Sequence, residues 1–285
     1  MLSVGVDVGG TKCLAIGLSE NGERVGASVA PTASGLGIVD QLADVMHQFP
    51  GADSLGIGMP GIVGKSGTVH LAPHLPEIRN LPLQQLLEDR LSLPVFIDND
   101  ATCAAIAEWR VGAARGLSDV LVVTIGTGIG GGIIAGGRVV RGAHGFAGEI
   151  GHHIIVSGGE PCPCGRSGCW EQYASGNALR RIAHGVSGEE IISRVAAGDG
   201  ESMGFLNESA HWIALGLFNL INTLDPECVV LGGGLGSSPS LLPLVDAALD
   251  AMMPSSVHRP RPKLCPAQLG HEAGAIGAAY LGRVD

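Results

Sequence analysis

Between positions 145 and 176 the chain reads GFAGEIGHHIIVSGGEPCPCGRSGCWEQYASG. An imidazole, His152, precedes three thiols, Cys162, Cys164 and Cys169, in C-x-C-x₄-C spacing. Three thiolates and one imidazole are the donor set of a closed, structural, tetrahedral zinc site. Interleaved Pro161, Pro163, Gly165 and Gly168 describe a tight loop, not a helix or strand. Read without a metal, the same residues are a surface loop carrying thiols. The lack of a C-x-x-C pair argues against a redox role. Glu149 and Glu171 bracket the cluster. A metal tying these segments together fixes where both carboxylates point, and a polyhydroxylated ligand needs such fixed, charge-assisted acceptors.

Three glycine-rich stretches and one acidic run carry the other candidate chemistry. Asp7 leads into Gly9-Gly10-Thr11-Lys12, a turn that aims backbone N–H groups, a hydroxyl and an ammonium at one point, which suits a phosphate. A second turn, 126–132, opens with Gly126-Thr127-Gly128 and occupies the same place in its surroundings. Gly232-Gly233-Gly234 follows an apolar run and lets backbone approach a ligand closely. Asp98-Asn99-Asp100 sits where a strand is expected to meet a helix, a usual place for a binding crevice. Asp100 alone reads equally well as a helix N-cap, but three consecutive Asx residues exceed what one cap needs.

The elements that must hold these residues follow from periodicity. Apolar runs at 2–8, 13–18 and 24–30, separated by turn residues, predict an opening β-meander. A helix is expected over 38–48, a strand over 54–59, a helix over 83–91, a strand over 93–97 and a helix over 101–114. The opening pattern then returns: strand 120–125, glycine turn 126–132, strand 133–135, a hairpin turn, and strand 139–140. Helices are expected over 176–184, 188–197, 208–223, 241–252 and 274–281, with a strand over 228–231. The recurrence predicts an internal duplication of two βββαβα units facing each other across a cleft. With hinges near Trp109 and Gly270, a smaller lobe takes 1–108 plus 271–285, and a larger lobe takes 109–270 with the cysteine loop.

Composition narrows the class. The chain has 285 residues, 45% hydrophobic and 15% charged, so it has material for a sizeable core. A formal net charge of −10 argues against nucleic-acid or anionic-membrane partners, where a basic footprint is expected. Seven cysteines include four, Cys13, Cys103, Cys228 and Cys265, scattered among apolar residues as small buried hydrophobes. An odd count without a disulfide-like framework predicts a reducing compartment. No signal peptide and no apolar run of spanning length is seen, so a cytoplasmic protein is expected.

Taken in order, these motifs resemble the ROK family of sugar kinases (repressors, open reading frames, kinases), within the two-lobed, actin-like, RNase-H-like ATPase superfamily. DVGGTK at 7–12 resembles that family's first phosphate motif and GTGIGGGI at 126–133 its second. MPG at 59–61 and DNDA at 98–101 are similar to its sugar and catalytic loops, FAGEIGH and CPCGRSGCWEQYASG to its signature, LGGGL at 231–235 to its adenosine-side loop, and AGAIGAA at 273–279 to its closing helix. The resemblance implies ATP-dependent phosphorylation of a hexose 6-hydroxyl, with Asp100 as general base. Gly61, Asn99, Glu149, His152 and Glu171 would hold the sugar. Asp7, Gly9, Gly10, Thr11, Lys12, Gly126, Thr127, Gly128, Gly232, Gly233 and Gly234 would handle ATP and Mg²⁺. His152, Cys162, Cys164 and Cys169 would ligate zinc, and His152 would offer its other ring nitrogen to the sugar. The spelling around the cysteines is most similar to the family's glucokinases. N-acetylmannosamine, fructose and allose kinases share the same carboxylates, and a non-catalytic sugar-binding regulator is the alternative of a different class. The first strand at position 2 leaves no room for a winged helix, and no basic run suggests a polyphosphate groove. A homo-oligomer, dimer or tetramer, is implied. Two departures stand out: His74 where the family often has Asn, and a shorter segment after Gly185.

Overall fold

The computed structural model describes residues 1–73, 75–253 and 260–283; His74 lies outside the described residues. The first part opens with strands β1 (Ser3–Val8), β2 (Lys12–Leu18) and β3 (Arg24–Pro31), then helix α1 (Gly37–Asp44) and strand β4 (Ser54–Met59). A three-stranded antiparallel insert, β5 (Ile62–Val63), β6 (Val69–Leu71) and β7 (Arg79–Leu81), precedes helix α2 (Leu83–Leu91), strand β8 (Val95–Asn99) and helix α3 (Asp100–Arg110). The second part holds β9 (Val120–Ile125), β10 (Ile129–Ala135) and β11 (Arg138–Val139), then helices α4 (Glu171–Ala174), α5 (Gly176–Ile182), α6 (Gly188–Ala196) and α7 (Gly200–Leu224). Strand β12 (Cys228–Gly232), helices α8 (Gly233–Gly236) and α9 (Leu242–Met252) and strand β13 (Lys263–Pro266) complete it, and helix α10 (Ala273–Tyr280) returns to the first part.

The expected duplication is visible in the strand order. One sheet runs β3-β2-β1-β4-β8 and the other β11-β10-β9-β12-β13. Counted from the opening strand of each, the order is the same. In both, the opening strand pairs in parallel with the strand on its far side: β1 with β4, and β9 with β12. The contacts divide the chain into a unit of 1–116, 132–148 and 271–285, and a unit of 117–131 and 149–270. Residues 109–116 and 132–148 thus fall in the first unit, not in a lobe of 109–270. Part of the cause is local: a Cβ at Gly132 would lie 2.2 Å from that of Ala105 on α3, so this half of β10 packs on α3 through a bare backbone.

Burial explains the run of valines that begins the chain. Val4, Val6 and Val8, on one face of β1, are at most 1% exposed, and Ser3 and Gly5 on the other face are buried too, as in a central strand covered on both faces. The alternating glycine has a packing cause. A Cβ at Gly5 would meet the Ala275 carbonyl oxygen at 2.0 Å, and one at Gly277 would meet that of Cys103 at 1.7 Å. Helix α10, AGAIGAAY, therefore lies directly on the first sheet and on α3, and only small residues permit that approach.

Several expected boundaries move. The helix expected over 208–223 begins at Gly200 because Asp199 accepts the Ser202 N–H as its cap. The helix expected over 101–114 ends at Arg110, where the Glu108 side chain takes the Ala113 N–H and turns the chain. Alpha-helix covers only 37–44 of the span 38–48, the rest being a 3₁₀ turn. Strands β5 to β7 and β13 carried no clear alternation and were not foreseen. Among the described residues, no helix is long and apolar enough to cross a membrane.

Candidate active site

The acidic run divides its labour. Strand β8 ends at Asn99 and α3 begins at Asp100. Asn99 is the N-cap: its Oδ1 accepts from the N–H groups of Ala101 at 2.9 Å and Thr102 at 3.2 Å. Its amide nitrogen donates to the Gly61 carbonyl at 3.1 Å, so the cap also ties down the turn after β4. Asp98 is buried, accepts the Arg141 Nε–H at 2.7 Å and takes the Asn99 N–H at 2.9 Å. Burial raises its pKa, against the opposing charge and hydrogen bond of Arg141. Capping and ion pairing are thereby assigned to Asn99 and Asp98. Asp100 takes the Ala101 N–H at 2.8 Å from inside the first helical turn and is not the cap.

Asp7 faces Asp100 electrostatically. Burial, then the negative charge of Asp100, push the Asp7 carboxyl up to about 7. A Cβ on Gly274 would lie 2.6 Å from its Cγ, so that glycine makes room for the carboxylate. The following turn is closed by Gly9 N–H to the Lys12 carbonyl at 3.0 Å and braced by Thr32 Oγ1 donating to the Gly9 carbonyl at 2.7 Å. Gly10, Thr11 and Lys12 are exposed on it. Two neighbouring carboxylates, one destabilised as an anion, make an oxygen-rich, negative spot that suits a hard divalent cation.

A pH signature follows. The native Asp7 holds a proton between about pH 4 and 7 that the unfolded chain has already lost, so its contribution to stability falls as pH rises through that window. Asp7→Asn removes the penalty. In metal-free buffer its melting temperature should exceed wild type at pH 8, by a free energy of up to about 4 kcal/mol, and match it near pH 4. Equal differences at the two pH values would show that Asp7 does not titrate this way.

In the second unit the glycine turn is shorter than expected. Only Gly126-Thr127-Gly128 forms the turn, closed by Gly126 N–H to the Gly128 carbonyl at 3.0 Å; Gly130, Gly131 and Gly132 belong to β10. A cavity of about 460 Å³ is lined by Gly126, Thr127, Asn177, Arg180 and Gly234. Of the three glycines at 232–234, Gly234 lines this cavity. Gly232 ends β12, and Gly233 is required by its φ of +78° and by the Ile125 carbonyl 2.5 Å from any Cβ. Asn177 and Arg180 were not foreseen, since on α5 they look like ordinary surface polar residues.

The cysteine loop closes on itself. The ligand atoms of His152, Cys162, Cys164 and Cys169 all lie within 4.8 Å of one another. Cys162 Sγ is 3.7 Å from His152 Nδ1, and Cys164 Sγ is 3.6 Å from Cys169 Sγ. Zn–S bonds near 2.3 Å at a tetrahedral angle require S···S of about 3.7 Å, so these two pairs already stand at the spacing of zinc ligands. Burial and the adjoining thiols push the Cys169 thiol up to about 12. That cost is what a bound cation would relieve. The Gln172 amide reaches Cys162 Sγ at 3.6 Å as an outer donor. His152 turns Nδ1 to the cluster and Nε2 towards Glu149, 3.9 Å from Oε2. Glu171 turns the other way and accepts the Ile129 N–H at 3.0 Å.

The structure thus gathers Asp7, Gly61, Asn99 and Asp100 with the first glycine turn in one unit. It gathers Glu149, His152, Glu171, the thiols and the second glycine turn in the other. The duplicated sheets, each with its glycine turn, are the actin-like ATPase fold of the ROK sugar kinases. The chain belongs to the ROK family, whose model matches residues 3–284. It is similar to a glucokinase of Streptomyces coelicolor, 35% identical over 99% of this chain and 98% of that one. It is also similar to an N-acetylmannosamine kinase of Shigella boydii serotype 18, 33% identical over 99% of this chain and 98% of that one. Among solved structures, a ROK family glucokinase from Streptomyces griseus in complex with glucose and AMPPNP superposes with a TM-score of 0.87 at 36% identity, over 99% of both chains.

Proposed function

We propose that this chain transfers the γ-phosphoryl group of ATP to the 6-hydroxyl of a hexose, with D-glucose the preferred acceptor. One observation carries the reading: Asn99, not Asp100, caps α3, and Asp100 stands next to a second carboxylate, Asp7, whose charge state it influences. Phosphoryl transfer needs positioning and charge neutralisation more than covalent chemistry, together with one group to take the hydroxyl proton. Asp100 takes that proton. Asn99, Glu149, His152 Nε2 and Glu171 orient the sugar hydroxyls, with the Gly61 turn held by Asn99. The turns at Gly9–Lys12 and Gly126–Gly128 cradle phosphate oxygens, and the cavity beside Thr127, Asn177 and Arg180 receives the nucleoside. Asp7 is the carboxylate to hold Mg²⁺, which when bound neutralises the charge that develops on the phosphates. Zinc is the ion that suits the cysteine cluster; its part is to fix His152 and the loop leading to Glu171. The reading takes the active form as a homo-oligomer working in a reducing, cytoplasmic setting, where none of the seven cysteines is drawn into a disulfide.

Glucose is chosen over N-acetylmannosamine on the similarity to glucokinases around Cys162–Glu171. An assay of hexose phosphate formation over a hexose panel, with ATP and polyphosphate as donors, tests this. Glucose with ATP should give the highest kcat/KM, by at least about tenfold. A tenfold preference for N-acetylmannosamine would move the assignment to that sugar. Sugar binding without hexose phosphate formation from either donor would make the chain a sensor.

A further inference from the structure

Glu171 holds more than a sugar in its reach. Its Oε2 accepts the N–H of Ile129, the residue that follows the second phosphate turn, at 3.0 Å. Gly128 is bare because a Cβ there would lie 2.1 Å from that same oxygen. Two backbone bonds from the same segment seize the rest of the turn: Gly176 N–H to the Gly126 carbonyl at 2.7 Å, and Asn177 N–H to that of Thr127 at 3.4 Å. All three come from the stretch that leaves the cysteine cluster at Cys169. A carboxylate has two oxygens and room for several donors. With Oε2 committed to the turn, Oε1 is left for a sugar hydroxyl.

We propose that Glu171 is a positioning residue that couples acceptor binding to the nucleotide turn. A sugar hydroxyl on Oε1 orients and immobilises the carboxylate, Oε2 then holds the Ile129 N–H in place, and Gly126-Thr127-Gly128 is ordered for phosphate. The inference rests on the hexose kinase reading given above. Coupling between two ligands is reciprocal, so each should tighten the other by the same factor, about tenfold on the usual scale of such effects.

Calorimetric titration tests the coupling. In wild type, saturating glucose should tighten a non-hydrolysable ATP analogue about tenfold. In Gly128→Ala, the new methyl displaces the carboxylate, and glucose affinity measured without nucleotide should fall at least about tenfold although Gly128 belongs to the phosphate turn. In Glu171→Ala, the coupling factor should drop to within about twofold of unity, and amide exchange at Ile129 without any ligand should accelerate. Zinc content and melting temperature establish that both variants are folded. Unchanged glucose affinity in folded Gly128→Ala, or intact coupling in Glu171→Ala, overturns the inference while leaving the kinase reading standing. Wild-type protein that binds no hexose in the panel overturns the kinase reading, and unchanged Ile129 exchange in Glu171→Ala then removes the clamp as well.

Discussion

Asp100→Asn should fold, bind glucose within a modest factor of wild type, and lose at least about two orders of magnitude in kcat, the low end of what a general base contributes. The variant keeps the size of the side chain and its bond to the Ala101 N–H, but an amide cannot take up the hydroxyl proton. Two structural facts make the outcome decisive. Asn99 already accepts from the N–H groups of Ala101 and Thr102, so the helix start survives the change. A negative charge in the first turn of a helix is worth only about 0.3–1 kcal/mol, so stability should fall by no more than about that. Removing the charge also relieves Asp7, whose carboxyl should titrate at lower pH in the variant. Near-wild-type turnover in a folded Asp100→Asn protein would reduce Asp100 to a helix-terminus charge and sink the proposed chemistry.

The second large effect is expected at the metal cluster. Purified protein should carry about one zinc per chain by elemental analysis, and Cys164→Ser should lose most of it. Cys164 is the exposed member of the set, so serine there disturbs no packing, and what changes can be ascribed to the metal. The far side of the loop stays anchored, because Trp170 is wholly buried and its indole N–H donates to the Trp212 carbonyl at 2.8 Å. The variant should therefore remain folded overall, become protease-sensitive between 162 and 169, and show a glucose KM raised at least about tenfold, the loss of about one 1.4 kcal/mol hydrogen-bond contribution per decade. Complete zinc loss with an unchanged KM would show that the cluster does not position Glu149, His152 or Glu171.

Much of this architecture was legible in the residues. The strand β9 fell where its apolar run placed it, and α2 likewise, because each is bounded by turn or breaker residues that act within a few positions. The duplication was legible because two meanders and two glycine turns recur in the same order, and the sheets repeat it. The cysteine spacing is a local property as well: a tight Pro/Gly loop leaves its thiols few ways to point. What resisted reading were choices made by distant partners. Gly130 to Gly132 looked like a turn because glycine in sequence carries no sign of why it is there. The structure shows Gly132 bare against Ala105, far off in the chain.

The same holds for the site. Residue types and order alone determined the candidate chemistry: which carboxylates, which glycine turns, which four ligands. Only the tertiary structure decided how the Asx run is shared, since Asp98 is taken by Arg141 and Asn99 by the helix start and Gly61. It alone turned His152 Nδ1 to the thiols and set Glu171 on the Ile129 amide. The physical reason is common to all of these. A side chain's type fixes what it can bond to, while its actual partner depends on which backbone donor or charge the fold brings within about 3 Å, and that distance is set by packing between segments the linear order keeps apart.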